Sequence, residues 1–425
     1  MEQQHVLVLG AGIAGLQASL RLGDAGVKVH LVERESLIGG QTIKYEEVYP
    51  NMECATCMVS PIQQDVLQHK NIELYLISKM EKLEGSRGKF SATITKRAGY
   101  VSHSACIGCG ACYEPCPVSL DNTFEESMSQ KKAIHVPCPG ALPNVPVIDP
   151  AHCLRLNGKD PECKACQEAC VFEAVDFSQQ DETIKLEVSA VIVATGFDMF
   201  ETASINSLGH GKIPNVYTAM EFERLYAQNG PTEGELVLRD GGRDLKTVGI
   251  IHCAGRDEQG YCSGVCCMNS IKFANFLKHK NSDMKIHQFY KDLCIPGKTQ
   301  QKFYEKIKNK DVSFVQYENI QVKKQNGTAL IEYSDGNGNE QTFPADMVIL
   351  SEAMVPAKGA AEIAEILGIA QDDRGFFATN NNLLSPVTTE KEGIYVVGCA
   401  EGPKDIPESI AQAEAAVGNI LSNFR

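Results

Sequence analysis

The spacing of four cysteines constrains this chain more than any other feature of its sequence. The run CIGCGACYEPCP contains Cys106, Cys109, Cys112 and Cys116. Its CxxCxxCxxxCP spacing is typical of short segments that bind [4Fe–4S] clusters. Four thiolates must converge on a compact cluster, and the glycines between them let a short chain wrap around it. The run therefore predicts an iron–sulfur cluster, since structural zinc sites usually pair two separated CxxC knuckles.

A second set of four cysteines follows, with the same ending and a longer lead-in. In two-cluster ferredoxins the fourth cysteine of each set serves the other cluster. We therefore expect two [4Fe–4S] clusters, and for the second set alone structural zinc stays an alternative. The first cluster is assigned to Cys106, Cys109, Cys112 and Cys170, and the second to Cys153, Cys163, Cys166 and Cys116.

Composition narrows the class of protein. The length of 425 residues predicts two or three domains, and the net charge of −14 argues against nucleic acid and anionic membrane surfaces as direct partners. The opening residues have no signal-peptide pattern, so the 17 cysteines are expected to be cluster ligands in a reducing compartment. No apolar run approaches the roughly 20 residues that cross a bilayer. We expect a cytoplasmic protein, held at the inner face of the membrane through partner subunits.

A dinucleotide-binding unit opens the chain. The apolar run HVLVL leads into GAGIAG at residues 10–15, then a helical stretch and a second strand that ends at Glu33. This is the full strand–loop–helix–strand context of the GxGxxG motif, with an acid about 20 residues on for the ribose hydroxyls. Glycines let the backbone approach a pyrophosphate at the helix N-terminus. The predicted contacts are Gly10, Gly12, Ile13, Ala14, Gly15, Glu33 and Arg34.

Three later segments resemble the disulfide reductase class of flavoproteins, which bind FAD at their first Rossmann unit. They are RESLIGGQ after Glu33, VIVATGFD at 191–198 and GIYVVGCAEG at 393–402. The resemblance implies FAD, with the last segment reaching its ribityl chain, although Cys399 stands where the family usually has Asp. The implied cofactor-binding residues are Gly39, Gly40, Gln41, Ala194, Thr195, Gly196, Gly398, Cys399, Lys404 and Ile406.

The order of these segments predicts an α/β fold of two Rossmann-like domains of the FAD-dependent disulfide (thioredoxin) reductase type, with an inserted two-cluster ferredoxin-like domain. The segments FSATITKRAGYV and ETIKLEVSAVIVATG flank the insert and are expected to be neighbouring strands. The predicted parts are the first FAD part at 1–97, the insert at 98–178, an FAD continuation and connector at 179–245, the second Rossmann-like domain at 246–345 and the return to the FAD domain at 346–425.

The second Rossmann-like domain lacks a nucleotide motif. After the strand TVGII its loop reads HCAGRDEQGYCSGVCC, with side chains where a pyrophosphate requires glycines. We therefore expect no NAD(P)H binding there. The loop provides Cys262 and Cys266, and Cys54 and Cys57 lie far upstream. The four are predicted to hold a third [4Fe–4S] cluster, and the alternative is a Cys54–Cys57 dithiol that exchanges electrons with flavin.

Taken together, GAGIAG, IGGQ, CATC, CIGCGACYEPCP, HCAGRDEQGYCSGVCC and GCAEGPKDIPESIAQA resemble the family of heterodisulfide reductase A subunits, which includes the A subunit of the quinone-interacting membrane-bound oxidoreductase (Qmo) complex. The resemblance implies an FAD and iron–sulfur protein that carries electrons between the quinone pool, through membrane partners, and a cytoplasmic reductase such as adenylylsulfate reductase. Lys404 is a candidate for tuning the flavin.

Alternatives to this function stay open. One is a heterodisulfide reductase component whose flavin bifurcates electrons. Another is a ferredoxin-linked flavin disulfide reductase that uses Cys54 and Cys57. A third is an assembly protein with a structural flavin.

Overall fold

The computed structural model describes residues 4–242, 244–325 and 327–424. The first part of the chain begins with a βαβ unit, as its glycine loop predicts, and ends with a hairpin that leads to the insert. Its elements are β1 (His5–Leu9), α1 (Ile13–Asp24), β2 (Lys28–Val32), β3 (Glu47–Val48), β4 (Glu53–Cys54), α2 (Ala55–Gln68), β5 (Ile72–Tyr75), β6 (Ser78–Ser86) and β7 (Lys89–Lys96).

The insert has little regular structure, because its chain wraps around cysteines rather than around an extensive sheet. Its elements are β8 (Ser119–Asp121), β9 (Gln130–Lys132), β10 (Ile134–His135), β11 (Val147–Ile148) and the single helical turn α3 (Ala165–Glu168). Its core contains Cys112, Cys116, Cys153 and Cys166 together with Val101, Ile134 and Val175.

The chain then completes the first sheet, builds the second domain and returns. The connecting elements are β12 (Glu182–Val188), β13 (Ala190–Val193), β14 (Phe197–Met199), β15 (Val216–Thr218) and α4 (Ala219–Tyr226). The second domain has β16 (Thr247–Ala254), α5 (Arg256–Gln259), α6 (Cys266–Lys280), β17 (Lys285–Tyr290), α7 (Lys298–Lys308), β18 (Val312–Gln325), β19 (Thr328–Asp335), β20 (Glu340–Ala345), β21 (Met347–Glu352) and β22 (Met354–Pro356). The last elements are α8 (Ala360–Leu367), β23 (Ile394–Val396) and α9 (Ile406–Asn423).

Two sheets organise the molecule. The first has five parallel strands in the order β23-β13-β1-β2-β5, and its strands are nearly continuous apolar runs because helices or sheet cover both faces. The second has seven strands in the order β15-β21-β16-β17-β18-β19-β20. Strands β15 and β21 lie outside the predicted range 246–345, so those bounds of the second domain were drawn too narrowly. The sequence misplaced them because short connecting strands have no periodic signal of their own.

The flanks of the insert pair as the sequence predicts. Strands β7 and β12 are antiparallel neighbours, with Lys96 opposite Glu182, so the insert leaves and re-enters the fold at one point. Its loop then contacts the glycine turn of the first domain, where the Ile38 N–H donates to the Leu142 carbonyl oxygen at 2.9 Å. The insert is therefore held directly beside the predicted flavin-binding loop.

A buried ion pair fastens the insert to the rest of the molecule. The Arg224 guanidinium in α4 is fully buried and binds both carboxylate oxygens of Glu125 in the insert, at 2.9 and 3.1 Å. It also donates to the Lys44 carbonyl oxygen at 2.8 Å and to Asn229 Oδ1 at 2.8 Å. One cation thus joins the insert, the flavin domain and the connector.

A second buried ion pair joins the two Rossmann-like domains. Lys272 Nζ in α6 lies 2.6 Å from Glu223 Oε2 and donates to the Glu47 carbonyl oxygen at 2.9 Å. Tyr226 also donates to this carboxylate, at 2.7 Å. Burial lowers the pKa of Lys272, and the adjacent Glu223 opposes that shift. No helix within the described residues is long and apolar enough to cross a lipid bilayer.

Candidate functional site

The glycine loop closes against the two segments that the sequence associates with it. Gly10 has a φ of +100°, and a Cβ there would lie 2.4 Å from the Ala194 carbonyl oxygen. A Cβ on Gly15 would lie 1.9 Å from the Gly10 carbonyl oxygen. Gly12 and Gly39 form a β-bridge, and Gly39 donates to the Ala11 carbonyl oxygen at 2.8 Å. Glycines 10 and 15 are therefore required by close backbone approach, as in dinucleotide-binding loops.

Glu33 anchors the loop. The Ala11 N–H donates to Glu33 Oε2 at 2.7 Å, and the Glu35 N–H donates to Oε1 at 2.9 Å. Burial raises the pKa of Glu33, and these two N–H donors oppose the shift. Nearby, Gln41 Oε1 and Thr195 Oγ1 are buried with no hydrogen-bond partner in the protein. Unpaired buried polar atoms beside a glycine loop fit a polar dinucleotide such as FAD, whose phosphate and ribityl oxygens would satisfy them.

The returning segment meets the start of α1. A Cβ on Gly398 would lie 3.0 Å from Ala14 Cβ, so the two predicted contacts are neighbours. The Gly398 N–H donates to Gln412 Oε1 at 2.8 Å, and Cys399 Sγ donates to the Lys404 carbonyl oxygen at 3.4 Å. These contacts place the returning segment against the glycine loop, as a shared cofactor requires.

The remaining predicted contacts differ in their surroundings. Ile406 begins α9, whose capping box pairs Asp405 with Glu408. Lys404 Nζ binds the Glu401 carboxylate and the Gly402 carbonyl oxygen, so its charge is locally balanced. Ile13 begins α1 and packs partly buried against the core, whereas Arg34 is half exposed and donates to the Lys358 carbonyl oxygen at 3.0 Å.

The first predicted set of cluster ligands surrounds one cavity, bordered by Cys106, Cys109, Cys112 and Cys170. Burial and the neighbouring thiols Cys166, Cys106 and Cys170 raise the pKa of Cys112 to about 12. Backbone N–H groups point at the sulfurs, with Gly108 donating to Cys106 Sγ at 3.4 Å and Ala174 to Cys170 Sγ at 3.3 Å. Four crowded thiols favour ionisation only beside positive charge, which a cluster's iron ions supply.

The second predicted set also comes together. Burial raises the pKa of Cys166 to about 11, and Cys153, Cys116 and Cys163 lie close enough to contribute. Cys112 of the first set interacts with Cys166 of the second, so the two sets are adjacent. Among the described residues, no group of three or more His, Cys, Asp or Glu side chains is drawn tightly enough together to hold a single metal ion. The donor chemistry of both sets nevertheless suits clusters of several irons.

The predicted third cluster is not the arrangement in the structure. Cys54 and Cys57 bond each other in a disulfide at the start of α2, where Cys54 is the N-cap and its Sγ accepts from the Cys57 N–H at 3.2 Å. Disulfide sulfurs lack the thiolate charge that iron requires, so a ligand set of Cys54, Cys57, Cys262 and Cys266 is corrected here. The dithiol alternative agrees with this bonding.

Cys262 and Cys266 instead lie with other cysteines of their own domain. The hydrogen bond with Cys267 and burial raise the pKa of Cys266, and Cys253 and Cys262 add to the shift. The hydrogen bond with Cys266 lowers the pKa of Cys267, and His252 acts in the same direction. The first two residues of α6 are Cys266 and Cys267, where backbone N–H groups and the helix dipole favour thiolates. Sequence reasoning recognised this loop but chose the wrong partners for it.

A cavity of about 260 Å³ lies between α2 and the insert. Its lining includes Cys57, Ser60 and Gln63 of α2 and Cys138 of the insert. Burial raises the pKa of the Cys138 thiol to about 12, and the nearby Arg224 partly opposes the shift. The Cys54–Cys57 disulfide is therefore reachable through this cavity, next to an un-ionised thiol.

Comparisons with known proteins fit both parts of the site. Residues 8–59 match the model of the NAD(P)-binding Rossmann-like domain, and residues 100–119 match that of the 4Fe-4S binding domain. In overall fold, the chain is similar to thioredoxin reductase from Lactococcus lactis, with a TM-score of 0.53 and 13% identity over 99% of this chain and 98% of that one. LpdA from Mycobacterium tuberculosis gives a TM-score of 0.55 and 12% identity, over 99% and 72% of the two chains. These comparisons confirm the predicted fold class.

Curated relatives match nearly the whole chain. The A subunit of H(2):CoB-CoM heterodisulfide,ferredoxin reductase from Methanothermobacter marburgensis is 36% identical over 96% of this chain and 62% of its own length. The A subunit of ferredoxin:CoB-CoM heterodisulfide reductase from Methanosarcina mazei is 35% identical over 98% and 53%, respectively. A protein of Archaeoglobus profundus that is named for its likeness to the heterodisulfide reductase A subunit is 34% identical over 99% and 66%. The chain thus spans about half to two thirds of these relatives, and it belongs to the family of heterodisulfide reductase A subunits.

Proposed function

We propose that this chain is an FAD and iron–sulfur electron-transfer subunit of a multi-subunit oxidoreductase. The observation that carries the proposal is the cavity bordered by Cys106, Cys109, Cys112 and Cys170, four thiols from two distant runs, beside the flavin-type glycine loop. Flavin exchanges electrons singly or in pairs and clusters exchange them singly, so their combination suits a junction between carriers.

The chain's own residues set where each group sits and how it is tuned. Glu33 and the glycines of residues 10–15 would hold the dinucleotide, while N–H donors from Gly108 and Ala174 would stabilise reduced cluster sulfurs. Any effect of Lys404 on the flavin would be weakened by Glu401, because the paired carboxylate offsets its charge. The assigned ligands of the two inserted clusters are likewise proposals.

A third cluster is proposed on cysteines of one domain. Cys253, Cys262, Cys266 and Cys267 interact with one another at the edge of the second sheet, where α6 begins. They occupy the place where a nucleotide pyrophosphate would approach in a dinucleotide-binding domain. This assignment replaces the Cys54 and Cys57 ligands and keeps the number of clusters at three. It also supports the prediction that the second domain does not bind NAD(P)H.

The partners are proposed at two levels. The relatives' names describe subunits, so other subunits of an electron-transfer complex are the general expectation. The finer proposal is a membrane quinone-reactive partner and adenylylsulfate reductase, with this chain at the inner face of the membrane. A heterodisulfide reductase complex, with a bifurcating flavin in this chain, is the alternative.

The test is to purify the native complex anaerobically from membranes and to identify what copurifies. Copurification of a membrane protein, with flavin reduced by a quinol analogue, would support the finer proposal. Isolation with only heterodisulfide reductase partners would support the alternative. Rapid flavin bleaching of the isolated chain by NADH or NADPH would contradict the predicted loss of the second nucleotide site.

A second candidate function is favoured by the Cys54–Cys57 disulfide itself, which lies beside a cavity. A reduced dithiol at the start of a helix has a lowered thiol pKa and could exchange electrons with flavin. Titrating free thiols before and after flavin reduction separates the two. Two additional thiols that appear at the flavin potential support a dithiol function, and an unchanged thiol count contradicts it.

A further inference from the structure

We propose that the face around Cys109 is the docking surface for a one-electron carrier protein whose own redox centre is ringed by basic side chains. This inference rests on the proposed function, because it assumes a cluster at the four cysteines, and it identifies which cluster exchanges electrons with the outside. In the step itself, one electron leaves the reduced cluster and reduces the carrier's oxidised centre, and no covalent bond forms or breaks.

The face combines apolar exposure with access to the cysteine cavity. Val171 is 82% exposed, Ile107 63% and Phe172 45%, whereas large apolar side chains are usually exposed singly. Ile107 and Phe172 also line the cavity bordered by the four cysteines. Clustered exposed apolar residues mark interaction sites, particularly beside a redox centre that must be approached closely.

Exposure distinguishes the two inserted cysteine sets. In the first set Cys109 is exposed, and Cys106 and Cys170 are partly exposed. In the second set Cys116, Cys153 and Cys166 are buried. An outside carrier can therefore approach the first set more closely than the second.

The same set also has a short connection inward. Asn144 Nδ2 donates to the Gly108 carbonyl oxygen at 3.3 Å, two residues from Leu142, whose carbonyl oxygen accepts from Ile38 of the glycine turn. The cysteine set that faces outward is thus also linked, by two hydrogen bonds and a few residues, to the predicted flavin loop. A port for electrons needs both properties.

Charge selects the occupant of this surface. Residues 160–176 carry five acidic side chains and one basic side chain, and Glu162, Glu168 and Glu173 are among the acidic ones. A second copy of this chain, with its net charge of −14, would be repelled, as would an anionic membrane. An apolar centre with an acidic rim is complementary to a carrier with a basic rim.

The test uses the cluster-loaded protein and oxidised cytochrome c as a basic one-electron probe. Titration calorimetry at low salt measures binding without turnover, and anaerobic stopped-flow then measures reduction of the haem. For the variant I107E/F172E we expect the dissociation constant to rise by about tenfold or more, because the central apolar contacts are lost. The matched control is L383E/L384E, which changes two exposed leucines, 89% and 85% exposed, in another domain and should stay within about twofold.

A rim variant keeps the test independent of cluster assembly. Glu173→Lys should weaken cytochrome c binding severalfold at low salt, with less difference at high salt, whereas Glu340→Lys on β20 should not. Unchanged binding by both patch and rim variants, with iron content and EPR spectra intact, would overturn the docking proposal. Absence of iron from the wild-type protein would instead overturn the proposed function. Self-association or binding to phosphatidylglycerol vesicles that only the patch variant abolishes would also overturn the proposal, by showing a different occupant.

Discussion

Replacing Glu125 by Gln should loosen the attachment of the insert to the flavin domain. The substitution keeps the shape and one acceptor but leaves the Arg224 guanidinium, which is fully buried, without a counter-charge. Removing one partner of a buried ion pair costs about 3–5 kcal/mol. The remaining contacts of Arg224 with Lys44 and Asn229 involve neutral acceptors and cannot offset its charge.

Hydrogen exchange with mass spectrometry measures this effect locally, in the cluster-loaded protein. Each 1.4 kcal/mol is a factor of ten, so amide exchange in α4 and around Glu125 should accelerate by about two to three and a half orders of magnitude. The matched control is Glu84→Gln, which removes an ion pair with Lys82 that is more than half exposed and should not measurably change exchange. If Glu125→Gln had no larger effect than the control, the buried pair would not fasten the insert.

Three further predictions follow from other parts of the structure. Cys170→Ser should lower the iron content by about four atoms per chain, as measured by iron analysis, whereas Cys138→Ser, outside both sets, should not; equal losses would contradict the assignment. Gly10→Ala should weaken FAD binding by roughly 5- to 150-fold, from about 1–3 kcal/mol of overpacking against Ala194, whereas Gly418→Ala, with open space around it, should retain FAD in a fluorescence titration. Burial and the neighbouring His5 lower the pKa of His30 from 6.5 to about 4, so the unfolded chain binds more protons in that interval; unfolding temperature should fall from pH 6.5 to 4 less steeply in His30→Gln than in the wild type.

The local patterns of the sequence predicted most of the first domain. The glycine loop, Glu33 and the segments at Ala194 and Gly398 come together because each has a geometric requirement that only certain residues meet. The two inserted cysteine sets were predictable for the same reason, since their spacing limits how the chain can fold. The pairing of β7 with β12 followed from recognising that the insert is a loop expansion.

The partners of Cys262 and Cys266 could not be predicted in this way. Spacing alone offered a CxxC and a CxxxC in two domains, and it carried no information on how far apart the domains would place them. Cys253 precedes the loop at a φ of +64°, and Cys267 follows Cys266 directly, so neither belongs to a recognisable spacing. The ends of the second domain were missed because β15 and β21 join its sheet from outside the apparent repeat. Charge pairs such as Arg224 with Glu125 are 99 residues apart and leave no local pattern.

The most direct test of electron transfer through clusters is the ratio of iron and acid-labile sulfide to FAD in the anaerobically purified protein. Three cubane clusters predict about twelve irons and about twelve sulfides per FAD, with broad absorption beyond the flavin bands. A ratio near eight would remove the cluster proposed at Cys253, Cys262, Cys266 and Cys267 and keep the other two. A protein that binds FAD but contains no iron or sulfide would contradict the claim that this chain carries electrons through clusters.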